Sequence, residues 1–270
     1  MLYIIASPIG NLEDLTLRSI RILNEVDIIL CEDTRVTKKL LTHYKINKPL
    51  LRYVDDDSKI NFYINKLNSN DIALITDAGT PLLSDPGYKL INIARQNNIA
   101  VTSIPGSSAL MAAISLSGRQ MDNFIFEGFF PRKSKDQLIL TSMLRYRMKD
   151  TFLFESPKRI KSTLNFLKNK LLERDVIVFH ELTKLNEKVI ELNLSDLHLY
   201  EFKALGEYII LVSGKSIKYS KIDKDFHIYI KDEIEYLVDN GLSLKNAAKI
   251  IADIFDLPRK AIYNIWIDKN

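Results

Sequence analysis

The stretch 72-IALITDAGTPLLSDPG-87 decides how this chain is read. Four apolar residues, Ile72 to Ile75, run uninterrupted into two turns, Asp77-Ala78-Gly79-Thr80-Pro81 and Ser84-Asp85-Pro86-Gly87. A continuous apolar run predicts a strand buried on both faces, as in a parallel sheet. The prolines stiffen the loop before anything binds, and Gly79 and Gly87 open backbone conformations closed to other residues. Asp77 and Asp85 can accept hydrogen bonds from turn amides or from a ligand hydroxyl. Asp77, directly after the strand, is expected to face a ligand. Asp85, beside the next helix, is expected to cap that helix.

The same pattern extends on both sides. Leu2–Ala6, Asp27–Cys31 and Ile99–Ile104 read as further strands, and Leu17, Ile20 and Leu23 mark one helix, Leu90, Ile91 and Ala94 another. Buried strands alternating with helices predict an α/β domain with a largely parallel sheet over residues 1–117. Gly118 to Asn123 reads as a linker. A second alternation follows, with strands at Phe124–Phe126, Thr151–Phe154, Asp175–Phe179 and Glu207–Val212, and helices at Lys135–Tyr146 and Pro157–Leu172. It predicts a second α/β domain over 122–215, with a mixed sheet because several strands are close in sequence. Ser213–Asp225 is polar and lysine-rich, a second linker. The tail, 225–270, is expected to be a small helical domain. Within it, 242–268 reads as two helices around a turn, with Ser243 as a cap and Pro258 opening the second helix, a helix-turn-helix pattern.

The chain has 270 residues, 46% hydrophobic and 27% charged. No apolar run approaches the ~18 residues that span a bilayer. The N-terminus reads as a first strand rather than a signal peptide. One cysteine, Cys31, and four scattered histidines argue against disulfides and metal sites. A cytoplasmic setting fits. The net charge is +4, but Pro131 to Arg174 carries twelve Lys or Arg against four Asp or Glu. That local excess suits a polyanion, although a solvated helix face fits it too. Over 215–270 ten basic residues nearly balance nine acidic ones, which suits a docking domain better than a DNA reader.

Three more loops stand at expected strand C-termini, where open α/β sheets bind ligands. They are 6-ASPIGNLEDLT-16, 31-CEDTRVTKKLL-41 and 104-IPGSSALMAAISLSG-118. None has the G-x-G-x-x-G order or a phosphate-loop lysine. Glu32, Asp33 and Arg35 can form a buried network or a substrate-facing set. Ser107 or Ser108 opens a helix of small residues, which lets a flat ligand lie close to the backbone.

SPIGN, CEDTR, DAGTP with SDPG, IPGSSAL, FEGFFPRK, FESPKR, HELTKLNE and GEYIILV follow one another in an order that resembles the tetrapyrrole methylase superfamily of S-adenosylmethionine-dependent methyltransferases. Within it they resemble the branch acting on 16S ribosomal RNA, at a cytidine ribose 2′-oxygen. Two departures stand out: Ser107 where the family usually has proline, and 53-YVDDDSK-59 where it usually has a His-rich segment. The resemblance implies two α/β domains with the cofactor cleft between them, plus the small C-terminal helical domain. It implies S-adenosylmethionine at Pro8, Asp77, Ala78, Gly79, Leu82, Ser108 and Ala109, with Phe154, Glu155 and Leu185 from the later motifs. Asp33, Glu32, Glu155 and Glu181 are candidates for a general base, with proton loss to water the alternative. Arg35, Phe130, Arg132, Lys133, Lys158 and Arg159 are candidate RNA contacts, Phe129 and Phe130 as a stacking pair. The implied partners are 16S rRNA or the 30S subunit and a second copy in a homodimer, with no membrane, DNA or metal. A relative acting on a porphyrinoid or a protein side chain, and a non-catalytic RNA binder, are the competing readings. The basic segment and helical tail argue against the first, the intact cofactor loops against the second.

Overall fold

The computed structural model describes residues 1–171, 173–214, 224–255 and 257–267. The chain divides into two compact units, residues 1–119 with 179–188, and residues 120–178 with 189 onward.

In the first unit, β1 (Leu2–Ile5), β2 (Ile28–Cys31), β3 (Leu50–Arg52), β4 (Ile72–Ile75) and β5 (Val101–Ile104) alternate with α1 (Leu17–Glu25), α2 (Thr34–His43), α3 (Asp57–Leu67), α4 (Tyr88–Gln96) and α5 (Ala109–Leu116). The strand order is β3-β2-β4-β1-β5, and every neighbouring pair is parallel. Successive side chains leave opposite faces of a strand. Ile5, Ile29, Cys31, Ala73 and Ile75 therefore share one core with Ile22 and Leu23 of α1 and Leu40 and Leu41 of α2. Leu2, Ile4, Leu30, Ile72 and Leu74 share the other with Ile60 and Ile64 of α3 and Leu90 and Ala94 of α4. Burial on both faces is why these strands are apolar throughout.

In the second unit, β6 (Phe124–Phe129), β7 (Asp150–Glu155), β8 (Asp175–His180), β9 (Lys188–Asn193) and β10 (Tyr208–Val212) form a sheet of order β6-β7-β10-β8-β9. β6 and β7 are parallel, whereas β7 and β10 are antiparallel, the mixed sheet expected. Helices α6 (Ser134–Tyr146) and α7 (Ile160–Lys170) complete this layer. Leu153, Val178 and Ile210 pack with Leu164 and Leu167 of α7.

The tail forms α8 (Lys224–Asp239), α9 (Leu244–Phe255) and α10 (Arg259–Ile267); α9 and α10 are the two helices expected in 242–268, and α8 precedes them. Ile230, Ile234, Ala247, Ala248, Ile251 and Ile262 make its core. Leu138, Ile139 and Met143 of α6 pack against that core, so the tail is seated on the second unit. The Ser243 hydroxyl accepts from the Asn246 amide, at 3.4 Å, and Pro258 immediately precedes α10. Of the second linker, Ser213–Asp225, residues 215–223 lie outside the described residues, as do Leu172, Asp256 and Asp268 of the expected helices.

Candidate active site

The four loops quoted from the first 118 residues leave the carboxyl ends of β1, β2, β4 and β5. The chain leaves β1 toward β2 on one side and reaches β5 on the other, the kind of switch point at which such sheets bind ligands. Backbone bonds run both ways between Ser7 and Gly79, at 2.9 and 3.0 Å. The buried Ser7 hydroxyl donates to the Thr76 carbonyl, at 2.8 Å. The Thr80 hydroxyl reaches the Ser107 carbonyl, and the Ser107 hydroxyl the Asp14 carbonyl, at 3.2 and 3.1 Å. Ser107, where proline is usual, thus ties the fourth loop to the first. Across the sheet, the Asp33 amide donates to Asp77 Oδ1, at 3.1 Å. At Gly106 an added Cβ would meet Ala6 Cβ at 3.0 Å, so glycine there lets the fourth loop approach β1 without a tight contact that Ala6 would have to yield to.

The third loop is strained as well as stitched. Leu82 and Ser84 have φ of 74° and 70°, a region bulky residues rarely enter, and such outliers gather at functional sites. Gly87, at φ 133°, precedes α4, and its amide donates to Asp55 Oδ2, at 3.1 Å. Asp55 also accepts from the buried Tyr53 hydroxyl. The 53–59 segment, which had no expected role, thus braces this loop. Asp85 does not cap α4, whose N-cap is Gly87, with no side-chain bond. This corrects the helix-cap expectation. Burial pushes the Asp85 carboxyl up to about 6, and the nearby Glu32 and Asp77 add like charge.

The four candidate bases differ sharply. Asp33 caps α2 through the Arg35 amide, at 2.8 Å, and pairs with the Arg35 guanidinium, at 2.6 Å. Those bonds hold its carboxyl well below the usual range, which weakens it as a base. Glu32 is half-buried. Desolvation, then the Asp77 charge, pushes its carboxyl up. Glu181, at φ 55°, bonds the Lys184 ammonium at 2.7 Å. Glu155 is not available as a base. Its side chain is 0% exposed, with Arg159 at 2.7 Å and the Ser156 amide at 2.6 Å on Oε1, and the Thr163 hydroxyl at 2.5 Å on Oε2. It is a structural anchor for the turn into α7.

The same network corrects two expected RNA contacts. The Arg159 guanidinium donates to the Phe130 and Pro131 carbonyls, at 2.8 and 3.3 Å, besides pairing with Glu155. Phe130 is 1% exposed within the second unit's core and cannot stack a base. Its neighbour Phe129 is 55% exposed. Arg132, Lys133 and Lys158 are exposed.

Residues 179–188 belong with the first unit. An added Cβ on Gly10 would meet Lys184 Cγ at 2.4 Å, so the Lys184 stem lies across the first loop. Lys184 carries no local signal of this role, because glycine opposite a long side chain is a pairing that sequence spacing does not reveal. Leu185 beside it is 100% exposed. Pro8, Ser108 and Ala109 are half-buried and Ala78 is exposed. Ser108 caps α5 through the Met111 amide, at 3.4 Å. Half-buried Phe154 ends edge-on to Phe126 and Phe129.

The family model of the tetrapyrrole (corrin/porphyrin) methylases matches residues 1–198. A protein of Pasteurella multocida named ribosomal RNA small subunit methyltransferase I is 36% identical over 276 residues, covering 99% of this chain and 97% of the relative. A protein of the same name from Thermotoga maritima is 41% identical over 219 residues, covering 79% of this chain and 98% of that relative. Among solved structures, a diphthine synthase aligns with a TM-score of 0.63 at 14% identity, covering 78% of this chain and 89% of its own. A cobalt precorrin-4 methyltransferase of cobalamin biosynthesis aligns at 0.56 and 17%, covering 78% and 94%. At these identities the two structures share the fold alone.

Proposed function

The chain belongs to the tetrapyrrole (corrin/porphyrin) methylase family, and on that premise we propose that it methylates the ribose 2′-oxygen of a cytidine in 16S ribosomal RNA. The observation that carries the substrate is the 36% identity that extends over 99% of this chain, helical tail included, to a relative named for the small-subunit RNA. On this reading the RNA is met free or in the 30S subunit, the enzyme works as a homodimer, and the setting is cytoplasmic.

The protein is an S-adenosylmethionine-dependent methyltransferase, and the residues present fit that donor. Asp85 is half-buried, and the like charges of Glu32 and Asp77 add to the burial in raising its carboxyl, an arrangement that a cationic ligand relieves. Ala78 is exposed beside it, while the buried Gly79 is tied to Ser7 by backbone bonds. Pro8, Asp77, Ala78, Gly79, Leu82, Ser108 and Ala109 would hold the donor, and the exposed Leu185 would offer apolar surface to its adenosine. Bound S-adenosylmethionine supplies a methyl group already activated on a sulfonium centre.

What remains for the chain is positioning and proton removal. Holding the sugar hydroxyl behind the methyl carbon removes much of the entropic barrier. The ribose hydroxyl is a weak acid, so a carboxylate within hydrogen-bond reach adds ~100-fold or more. With Glu155 buried and Asp33 committed to Arg35, Glu32, Asp77 and Asp85 are the loop carboxyls whose raised pKa suits proton acceptance. Arg132, Lys133 and Lys158 would hold phosphates, and Phe129 would stack a splayed base. Mapping ribose methylation of 16S rRNA from cells lacking the gene tests the proposal. One cytidine should lose its ribose methyl group and regain it with the wild-type gene. An unchanged pattern, or loss of a base methyl group instead, would overturn it.

A further inference from the structure

Between Thr34 and Val54 the sequence carries Arg35, Lys38, Lys39, Lys45, Lys48 and Arg52 and no Asp or Glu. A solvated helix face usually intersperses both signs. The basic segment at 131–174 does so, with four acids among its twelve cations. The 34–54 run does not, and its six charges exceed the net +4 of the whole chain.

The structure arranges these charges along one ridge. Thr37, Leu40 and Leu41 turn inward from α2, while Arg35, Lys38, Lys39, Thr42 and His43 are exposed on its outer side. That spacing of three and four places them on one helix face. Two open grooves, of about 500 and 570 Å³, flank the ridge and share Arg35, Lys38 and Thr42 as walls. Lys48 lines the first and His43 the second. Elsewhere in this unit Arg21 pairs with Glu25 and Lys89 with Asp57. Among the described residues Lys38, Lys39, Lys45 and Lys48 have no such partner. The ridge starts at the site itself. Arg35 binds Asp33, and Arg52, at the end of β3, is close enough to lower the Asp33 carboxyl further.

We propose that the 34–54 face is a second RNA-binding surface, a phosphate track along α2 that leads the substrate strand to the carboxylates after β2. This rests on the RNA methyltransferase reading above. An extended polyanion fits because the grooves are open and lie along a row of solvent-accessible cations, Arg35 and the lysines without acid partners, so successive phosphates can be met without burying any. Lysines suit this use, since phosphate contacts of this kind position a strand without reading its sequence.

The test uses the full chain and an unmodified small-subunit rRNA transcript. Three variants are compared with wild type: K38E/K39E, the milder K38A/K39A, and a charge-matched control on the other side of the sheet, K59E/R95E. Binding is measured across a salt series, with cofactor affinity and melting temperature alongside. Losing two phosphate contacts should flatten the log–log salt slope by about 1.4 for a single strand. KM for RNA should rise, while cofactor affinity and melting temperature stay at wild type. The control should keep the wild-type slope. A wild-type slope in both lysine variants, or an equal change in the control, would overturn the track. So would tighter binding of the ridge to anionic lipid vesicles than to RNA. Wild type that fails to methylate the transcript and the subunit would instead refute the functional reading, whatever the variants do.

Discussion

Asp85 shows how one side chain's surroundings can outweigh its position in sequence. It lies two residues before Gly87 and so reads as a helix cap, yet Gly87 is the N-cap of α4, and burial with the charges of Glu32 and Asp77 governs the Asp85 carboxyl. Its folded-state pKa, about 6 against 3.8, means that the native state holds a proton more tightly than the unfolded state does. Between those values stability falls as pH rises, and above pH 6 the full penalty applies. A shift of this size corresponds to ~3 kcal/mol, and partial exposure reduces that to ~1–2 kcal/mol. Asp85→Asn should therefore raise the melting temperature of the cofactor-free protein at pH 7.5 but not at pH 4. An equal difference at both pH values would show that the carboxylates do not repel. Arg159 gives the opposite case. Arg159→Ala leaves Glu155 buried and without its cation, which should cost ~3 kcal/mol in urea unfolding. Unchanged stability with lost RNA affinity would restore Arg159 as an RNA contact.

At the scale of elements, burial decided what was legible. β1, β2, β4 and β5 could be read because both faces are covered, leaving uninterrupted apolar runs. β3 is three residues long, and β9, KVIELN, is an edge strand with mostly uncovered side chains. Neither carries a periodic signal, and both were missed. The site loops were legible through Gly, Pro and Asp, whose local chemistry is strong. Lys184 over Gly10 and Asp55 under Gly87 were not, because they join residues far apart in sequence. The end of β6 shows the same limit. Phe129 and Phe130 look equivalent in FEGFFPRK, but the irregular register between Phe126 and Phe129 precedes a chain that sends Phe130 into the core. Phe130→Ala should cost ~3–5 kcal/mol of stability. Phe129→Ala should leave the melting temperature nearly unchanged and weaken RNA binding by ~1–3 kcal/mol. The reverse pattern in melting and binding titrations would mean the two rings have been exchanged.

Across the whole molecule, the proposed chemistry falls on the loops of one parallel sheet, while the second unit adds a mixed sheet and a helical tail. The tail covers Leu138, Ile139 and Met143 of α6. Ending the chain after residue 214 should expose that apolar face, lower the melting temperature and promote aggregation. A truncated protein that melts like the full chain would show that the tail is an independent appendage. No described helix is long and apolar enough to cross a membrane.

The most direct test of the central claim is methyl transfer in vitro. The purified protein would be incubated with methyl-labelled S-adenosylmethionine and unmodified small ribosomal subunits or their RNA. Digestion to nucleosides, with mass detection, then locates the label. The account predicts one labelled 2′-O-methylcytidine per RNA, strongly reduced in a Glu32→Gln variant that still binds cofactor. Label on a base, on a ribosomal protein, or nowhere in the RNA would contradict it.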